Sequence, residues 1–487
     1  MVKPFPDTPT FQDFDRPVRL EGDLFDLEIS GEVPPNIRGV FYRCGAEHQF
    51  PPRHGDDVFI NGDGMASMFR FGDGHVDFRC RYVRTEKFKR ERMARRALFG
   101  HYRNPFSDDP SVAGVDRGTA NTNVIWHGGR LLALKEDSLP VELDPNTLET
   151  IGSWDYNGRV TSKTVTAHPK IDPETGELFF YGSAAKGETT PDIAFYVADA
   201  AGQITRELWI DPPYASMMHD FAVTRDQIVF AVMPTTSSLA RIKAGGPIYA
   251  WDSKLPTHLG ILSRDPNATE IRWFNGPSRW MYHVMNAFEE DGKVHVDSCV
   301  SGRQSFPFFP DIDGHPYDPG AGRPQLTRWT CDLRSNSDAF EERLLNETGC
   351  EMPRIDDRLA MAPYRWGFML HHDAERAIGA GRGRQGFNAV ARVDAATGAI
   401  VDSYFTGPDS GPQEPVFIPR APDAPEGDGY LLTVVNRLAE NRCDLAVLDA
   451  MRLSEGPLAL CHVPFRIRAA IHGNWVDDRV HPIGEPF

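Results

Sequence analysis

The sequence predicts an all-β fold, a seven-bladed β-propeller with a helical and loop cap over one face. Three observations lead there. First, a short phrase returns along the chain: an alternating apolar and polar strand, a turn opening on or near an aspartate, and a second strand. Its turns fall at Asp73, Asp144, Asp199, Asp265, Asp332, Asp394 and Asp449, and their successive spacings of 71, 55, 66, 67, 62 and 55 residues suit one blade per unit. Second, one segment, 84–103, breaks clearly from the strand pattern. Third, four histidines follow the turns at a nearly constant distance, as equivalent places in repeated units would.

Residues 1–35 read as a lead-in with little periodicity. They are followed by GVFYRCGAEHQF, starting at Gly39, a strand expected to help close the ring. The segment RTEKFKRERMARRALFGHYR has no proline, one glycine near its end and many helix formers. It predicts a helix near 86–101 between the first and second blades, solvated and capping one face. Loops at 306–323 and 406–428 are rich in proline, glycine and aspartate; long loops on a rigid scaffold tend to shape substrate entrances. Because the blades of a closed propeller cannot fold alone, residues 1–487 are expected to form a single domain.

Charge and composition exclude several classes. A net charge of −17 argues against nucleic acid, whose binding rests on clustered lysine and arginine. The N-terminus has no apolar core of a signal peptide, and no apolar run approaches the roughly 20 residues a membrane helix needs. A cytoplasmic protein without stable membrane association is expected. The 7 cysteines contain no C-x-x-C and read as reduced, mostly buried thiols. Gly381-Arg-Gly383-Arg-Gln-Gly386 satisfies G-x-G-x-x-G without the βαβ context that gives the motif meaning. Asp311-Ile-Asp313-Gly314 lacks the remaining ligands of a calcium loop.

The phased histidines carry the chemistry. His168, His219, His283 and His472 lie 24, 20, 18 and 23 residues after their turns. Four imidazoles at one height of a propeller channel would converge on its axis and could share a metal ion. Two turns without such a histidine offer Glu351 and Glu414 instead, 19 and 20 residues on. Carboxylates beside metal-bound imidazoles commonly accept the far N–H and fix the tautomer. Imidazole suits iron, zinc, copper and nickel alike, so the ligand type does not name the metal. A site pinned by four strands with an open coordination position points to catalysis.

With these histidines, ALKEDSLP at 133–140, EMPRID at 351–356, EPVFIPR at 414–420 and NGDGM at 61–65, the chain closely resembles the carotenoid cleavage oxygenase family over nearly its whole length. The resemblance implies a seven-bladed propeller with Fe(II) held by His168, His219, His283 and His472. Glu136, Glu351 and Glu414 are implied as the outer carboxylates. It also implies cleavage of an alkene by O2, with a carbonyl left on each fragment. Within the family the chain is more similar to the lignostilbene dioxygenases, which implies that Lys135 and Tyr102 bind a 4-hydroxyl while Phe59 and Phe306 flank the aromatic rings. Bacterial-type relatives are often dimers, which makes a homodimer an option that the sequence itself leaves open.

The chemistry of Lys135 supports the same reading. An ammonium buried without a partner is costly, and a phenolate relieves that cost. Ionising the phenol would push electron density through the conjugated system toward the alkene. Lys135 and Glu136 are adjacent and would face opposite sides of a regular strand, so a local bend is required. The expected function is cleavage of the central double bond of a 4-hydroxystilbene into two aromatic aldehydes. The rival readings are an apocarotenoid or retinoid oxygenase, a metal-dependent propeller hydrolase or lactonase, and a non-enzymatic scaffold.

Overall fold

The recurring aspartates have a common local cause. In the computed structural model, which describes residues 3–376 and 386–480, each of six turn aspartates bends a carboxylate oxygen back onto the amides that follow it. Asp144 Oδ1 accepts from Asn146 N at 2.9 Å and Thr147 N at 2.8 Å. Asp199, Asp332 and Asp394 each take two such amides, and Asp265 and Asp449 one. A side chain that mimics a backbone turn suits a hairpin tip. Asp73 solves the problem differently, by adopting a left-handed φ of 51°. Most of the glycine motif at 381–386, and His481, lie outside the described residues.

The described residues divide into two compact units. The first comprises Met1–Asn157, Asp373–Val390 and Asp402–Phe487. It holds three antiparallel sheets, whose hairpins turn at Asp73, Asp144 and Asp449. One of these sheets joins the two ends of the chain. Strand Gly39–Glu47 pairs with strand Ala470–Asp477, from Gly39 opposite Asp477 to Gly45 opposite Ala470. The early strand thus finds a C-terminal partner.

The second unit comprises Gly158–His372 and Ala391–Val401. Two four-stranded sheets turn at Asp199 and Asp265. Beyond them, strand Glu341–Ile355 serves two repeats: its first part pairs with Gln325–Asp332, and its end pairs with Trp366–His371. Register shifts on both sides let one 15-residue strand change partners. The core between the first two sheets of this unit is aromatic and β-branched, with Phe195, Phe221, Phe230 and Ile228 fully buried. Each such side chain contributes about 1.5–3 kcal/mol of burial.

The helix of the insertion is shorter and less solvated than the sequence suggests. It spans Glu86–Ala94, with Thr85 Oγ1 accepting from Phe88 N, and ends where Arg95 turns left-handed at φ 53°. Glu91 explains the stop: its Oε1 accepts from Leu98 N at 2.8 Å and Phe99 N at 3.0 Å, folding the chain back toward the helix. Lys87, Phe88 and Glu91 are buried rather than solvated, because Lys87 forms 3.1 Å ion pairs with both Glu91 and Asp63. All 7 cysteines are free and buried. No helix among the described residues is long and apolar enough to cross a membrane.

Candidate active site

In the second unit, three repeats each deliver one histidine at the start of their edge strand. His168 stands two residues before Lys170–Ile171, His219 two residues before Phe221–Val223, and His283 lies within Trp280–Glu290. All three are buried. Their Nε2 atoms converge, at 3.2 Å between His168 and His219 and 3.1 Å between His219 and His283. The His283 Nδ1 lies 2.6 Å from Glu351 Oε2. A carboxylate can only accept, so Nδ1 carries the proton and Nε2 offers its lone pair. Lone pairs aimed at one another repel unless a cation lies between them. Nitrogens about 3 Å apart suit imidazoles each about 2 Å from a shared ion, so the donor set fits a metal.

Asp220 holds the three histidine-bearing strands together, a role the sequence reading missed. It is buried; its Oδ1 pairs with Lys170 Nζ at 2.8 Å and its Oδ2 accepts from Val284 N at 2.8 Å. One carboxylate beside His219 therefore grips the strand after His168 and the strand of His283. The visible signal was an acid next to a phased histidine; its partners lie far away in sequence. Tyr282 was also missed. Its ring stacks on His219 at 5.0 Å and 17°, and meets Phe306 edge-on at 5.2 Å. Phe306 is buried against Trp280, Phe308 and Phe309 as well, so it belongs to an aromatic wall beside the histidines.

In the first unit, His472 repeats the pattern of His283. Its Nδ1 lies 2.8 Å from Glu414 Oε1, while Glu414 Oε2 accepts from Gly473 N at 2.8 Å. Both residues are buried. Glu351 and Glu414, which the turn spacing had picked out, each face a phased imidazole.

Lys135 and Tyr102 come together in the first unit. Strand Arg130–Leu134 ends one residue before Lys135, which provides the bend that Lys135 and Glu136 need. Lys135 is 2% exposed; its ammonium donates to the Ile60 carbonyl at 2.7 Å and lies 4.9 Å from the centre of the Tyr102 ring. Among the described residues no carboxylate lies within ion-pair distance of Lys135. The Tyr102 hydroxyl donates to Glu136 Oε1 at 3.3 Å. Phe59 opens a short 3-10 turn, Phe59–Asn61, beside Ile60 and is partly buried. The acidic loop at Asp311 and Asp313 is occupied by cations already: Lys254 binds Asp313 at 3.0 Å and Arg303 stands 4.0 Å from Asp311.

The family model described as retinal pigment epithelial membrane protein, RPE65, matches residues 15–477. Isoeugenol monooxygenase of Pseudomonas nitroreducens is 50% identical over 94% of this chain and 96% of its own length. Lignostilbene-alpha,beta-dioxygenase isozyme III of Sphingomonas paucimobilis is 47% identical over 98% of this chain and 99% of its own. The crystal structure of Pseudomonas brassicacearum lignostilbene dioxygenase superposes with a TM-score of 0.95 at 44% identity, covering 98% of this chain and 100% of that one. The expected β-propeller class is the fold these oxygenases share. This chain is a member of the RPE65, or carotenoid cleavage oxygenase, family, and an oxygenase similar to the lignostilbene dioxygenases.

Proposed function

We propose that this protein is a non-haem Fe(II) dioxygenase that cleaves the central double bond of a 4-hydroxystilbene of lignin-derived type, giving two aromatic aldehydes. The observation that carries the substrate is Lys135, a buried ammonium with one backbone acceptor and an aromatic face but, among the described residues, no acid partner. Such a cation favours an anionic guest. A phenol bound against it ionises more readily, and the phenolate donates electron density to an alkene in the para position. Tyr102 supplies a second polar atom at the same place, held by Glu136. Phe59 and the wall around Phe306 suit flat aromatic rings.

His168, His219 and His283 would hold the iron, with His472 as the fourth ligand that its phase implies. Glu351 and Glu414 keep the Nδ1 protons of His283 and His472 in place, so that each Nε2 offers its lone pair. Iron(II), when bound, supplies the activation of O2. The reaction balances with one O2 consumed per double bond and one oxygen atom placed on each aldehyde.

A second reading is favoured by the 50% identity to an isoeugenol monooxygenase. Isoeugenol also carries a phenol para to an alkene, so Lys135 would serve it equally, but it lacks the second ring. Metal analysis and O2 uptake with a 4-hydroxystilbene and with isoeugenol separate the two. The proposal expects about one iron per chain, and higher kcat/KM on the stilbene with two aldehydes formed. A clear preference for isoeugenol would transfer the assignment, and turnover of neither by iron-loaded protein would remove it. His219→Ala should lose most iron and activity. Glu351→Gln should keep more iron while activity falls about 10–100-fold.

A further inference from the structure

We propose that Asn121 is a positioning residue that sets substrate specificity, by aiming the Lys135 ammonium and by registering it against His472. The inference rests on the reading of Lys135 as the phenol anchor. Lys135 is aimed by one atom, the Ile60 carbonyl, and that carbonyl is held in turn by Asn121. Asn121 is fully buried, and its side-chain amide donates to Ile60 O at 2.9 Å and to Gly62 O at 2.7 Å. Its Oδ1 accepts from Thr122 Oγ1 at 3.0 Å. Both amide hydrogens are spent on the turn that carries Phe59 and Ile60, so the acceptor for Lys135 has little freedom to drift.

The next residue carries the register onward. Thr122 N donates to Leu134 O at 3.0 Å, one residue before Lys135, and Thr122 O accepts from His472 N at 3.0 Å. Two consecutive residues thus touch the acceptor of the ammonium, the strand that presents the ammonium, and the backbone of a phased histidine. The chain is strained to put them there. Ala120 adopts a left-handed φ of 47°, and its carbonyl oxygen would lie 2.4 Å from a Cβ added at Gly64, so the NGDGM turn approaches it closely. A non-glycine residue in that region persists only where its surroundings require it. In such a substrate the hydroxyl and the alkene sit at opposite ends of one rigid aromatic ring. A fixed distance from Lys135 to the His472 strand therefore selects substrates whose alkene is para to the hydroxyl.

The test uses full-length, iron-loaded protein and two ligands, a 4-hydroxystilbene and its 4-methoxy ether. In wild type, kcat/KM should favour the hydroxy compound, which tests the reading of Lys135 itself. In Asn121→Ala, kcat/KM for the hydroxystilbene should fall about 10–100-fold, as misplacement of an anchor does. Its methoxy rate should change little and its iron content should hold, so that the preference collapses. Anaerobic titration should show weaker binding of the hydroxy compound alone. In a Lys135→Met background the Asn121 substitution should cost little more, since the group it aims is gone. Asn121→Leu, close in size and unable to donate either bond, should behave alike and stands in should the alanine variant not fold. An unchanged preference, or equal losses on both ligands, would overturn the role of Asn121. A wild type with no preference would instead overturn the phenol anchor, and the inference with it.

Discussion

Two lysines are buried in the same unit, and their surroundings differ in one respect. Lys87, on the inserted helix, is 5% exposed and ion-paired at 3.1 Å with both Asp63 and Glu91. Lys135 is 2% exposed and has, among the described residues, the Ile60 carbonyl and the Tyr102 ring but no carboxylate partner. Burial alone would pull the Lys87 ammonium down, but its two carboxylates hold it above the usual lysine range. Lys87 is complete, and the folded chain supplies all its partners. Lys135 lacks an anion, and a ligand can supply one. A buried charge that the fold leaves unpaired marks function more surely than one it neutralises.

The same substitution should therefore have opposite consequences at the two sites. Lys87→Met would strand two buried carboxylates and should lower stability by about 3–5 kcal/mol, read by denaturant unfolding, where that transition is reversible. Glu47 offers an intermediate case: burial pushes its carboxyl up to about 7 from 4.5, and Arg468 offsets only part of that. A raised folded pKa gives stability that is full below about 4.5 and lost as pH rises through 7. Glu47→Gln, which does not titrate, should gain on wild type by roughly 3 kcal/mol across that window, in melts compared at pH 4.5 and pH 8. The neighbouring His48, pushed down to about 4 by burial, works in the opposite direction but is common to both proteins and cancels.

Lys135→Met should leave stability unchanged or slightly improved, since it replaces an unpaired charge with an apolar chain of similar length. Its cost should appear in catalysis: kcat/KM on a 4-hydroxystilbene should fall roughly 10–200-fold, the equivalent of a charged hydrogen bond of about 1.5–3 kcal/mol, with iron content intact. The smallest effect belongs to Lys89, on the same helix as Lys87 but exposed in its pair with Glu86. Lys89→Ala should change stability by less than about 0.5 kcal/mol.

Features with a local cause were legible in the sequence. An aspartate that caps its own turn, as six of the seven do, or turns left-handed, as Asp73 does, needs only its immediate neighbours, so the seven turns could be counted without a structure. Because each repeat delivers its edge strand at a similar distance, the phase of His168, His219, His283 and His472 was visible, as were Glu351 and Glu414. Features that depend on residues far apart were not. The helix expected over 86–101 stops at Ala94 because Glu91 folds back on the amides of 98 and 99. Asp220 reads as an ordinary acid until Lys170 and Val284 arrive from other strands. The isolation of Lys135 was legible only as a possibility, because it depends on which acids the fold keeps away.

The most direct test of that isolation is the ionisation state of the bound phenol. A 4-hydroxystilbene titrated anaerobically into iron-loaded wild type near pH 7 should show the red-shifted absorbance of a phenolate, and in Lys135→Met it should bind, if at all, as the neutral phenol. A ligand that stays neutral in the wild-type site, or ionises equally in both proteins, would contradict the account.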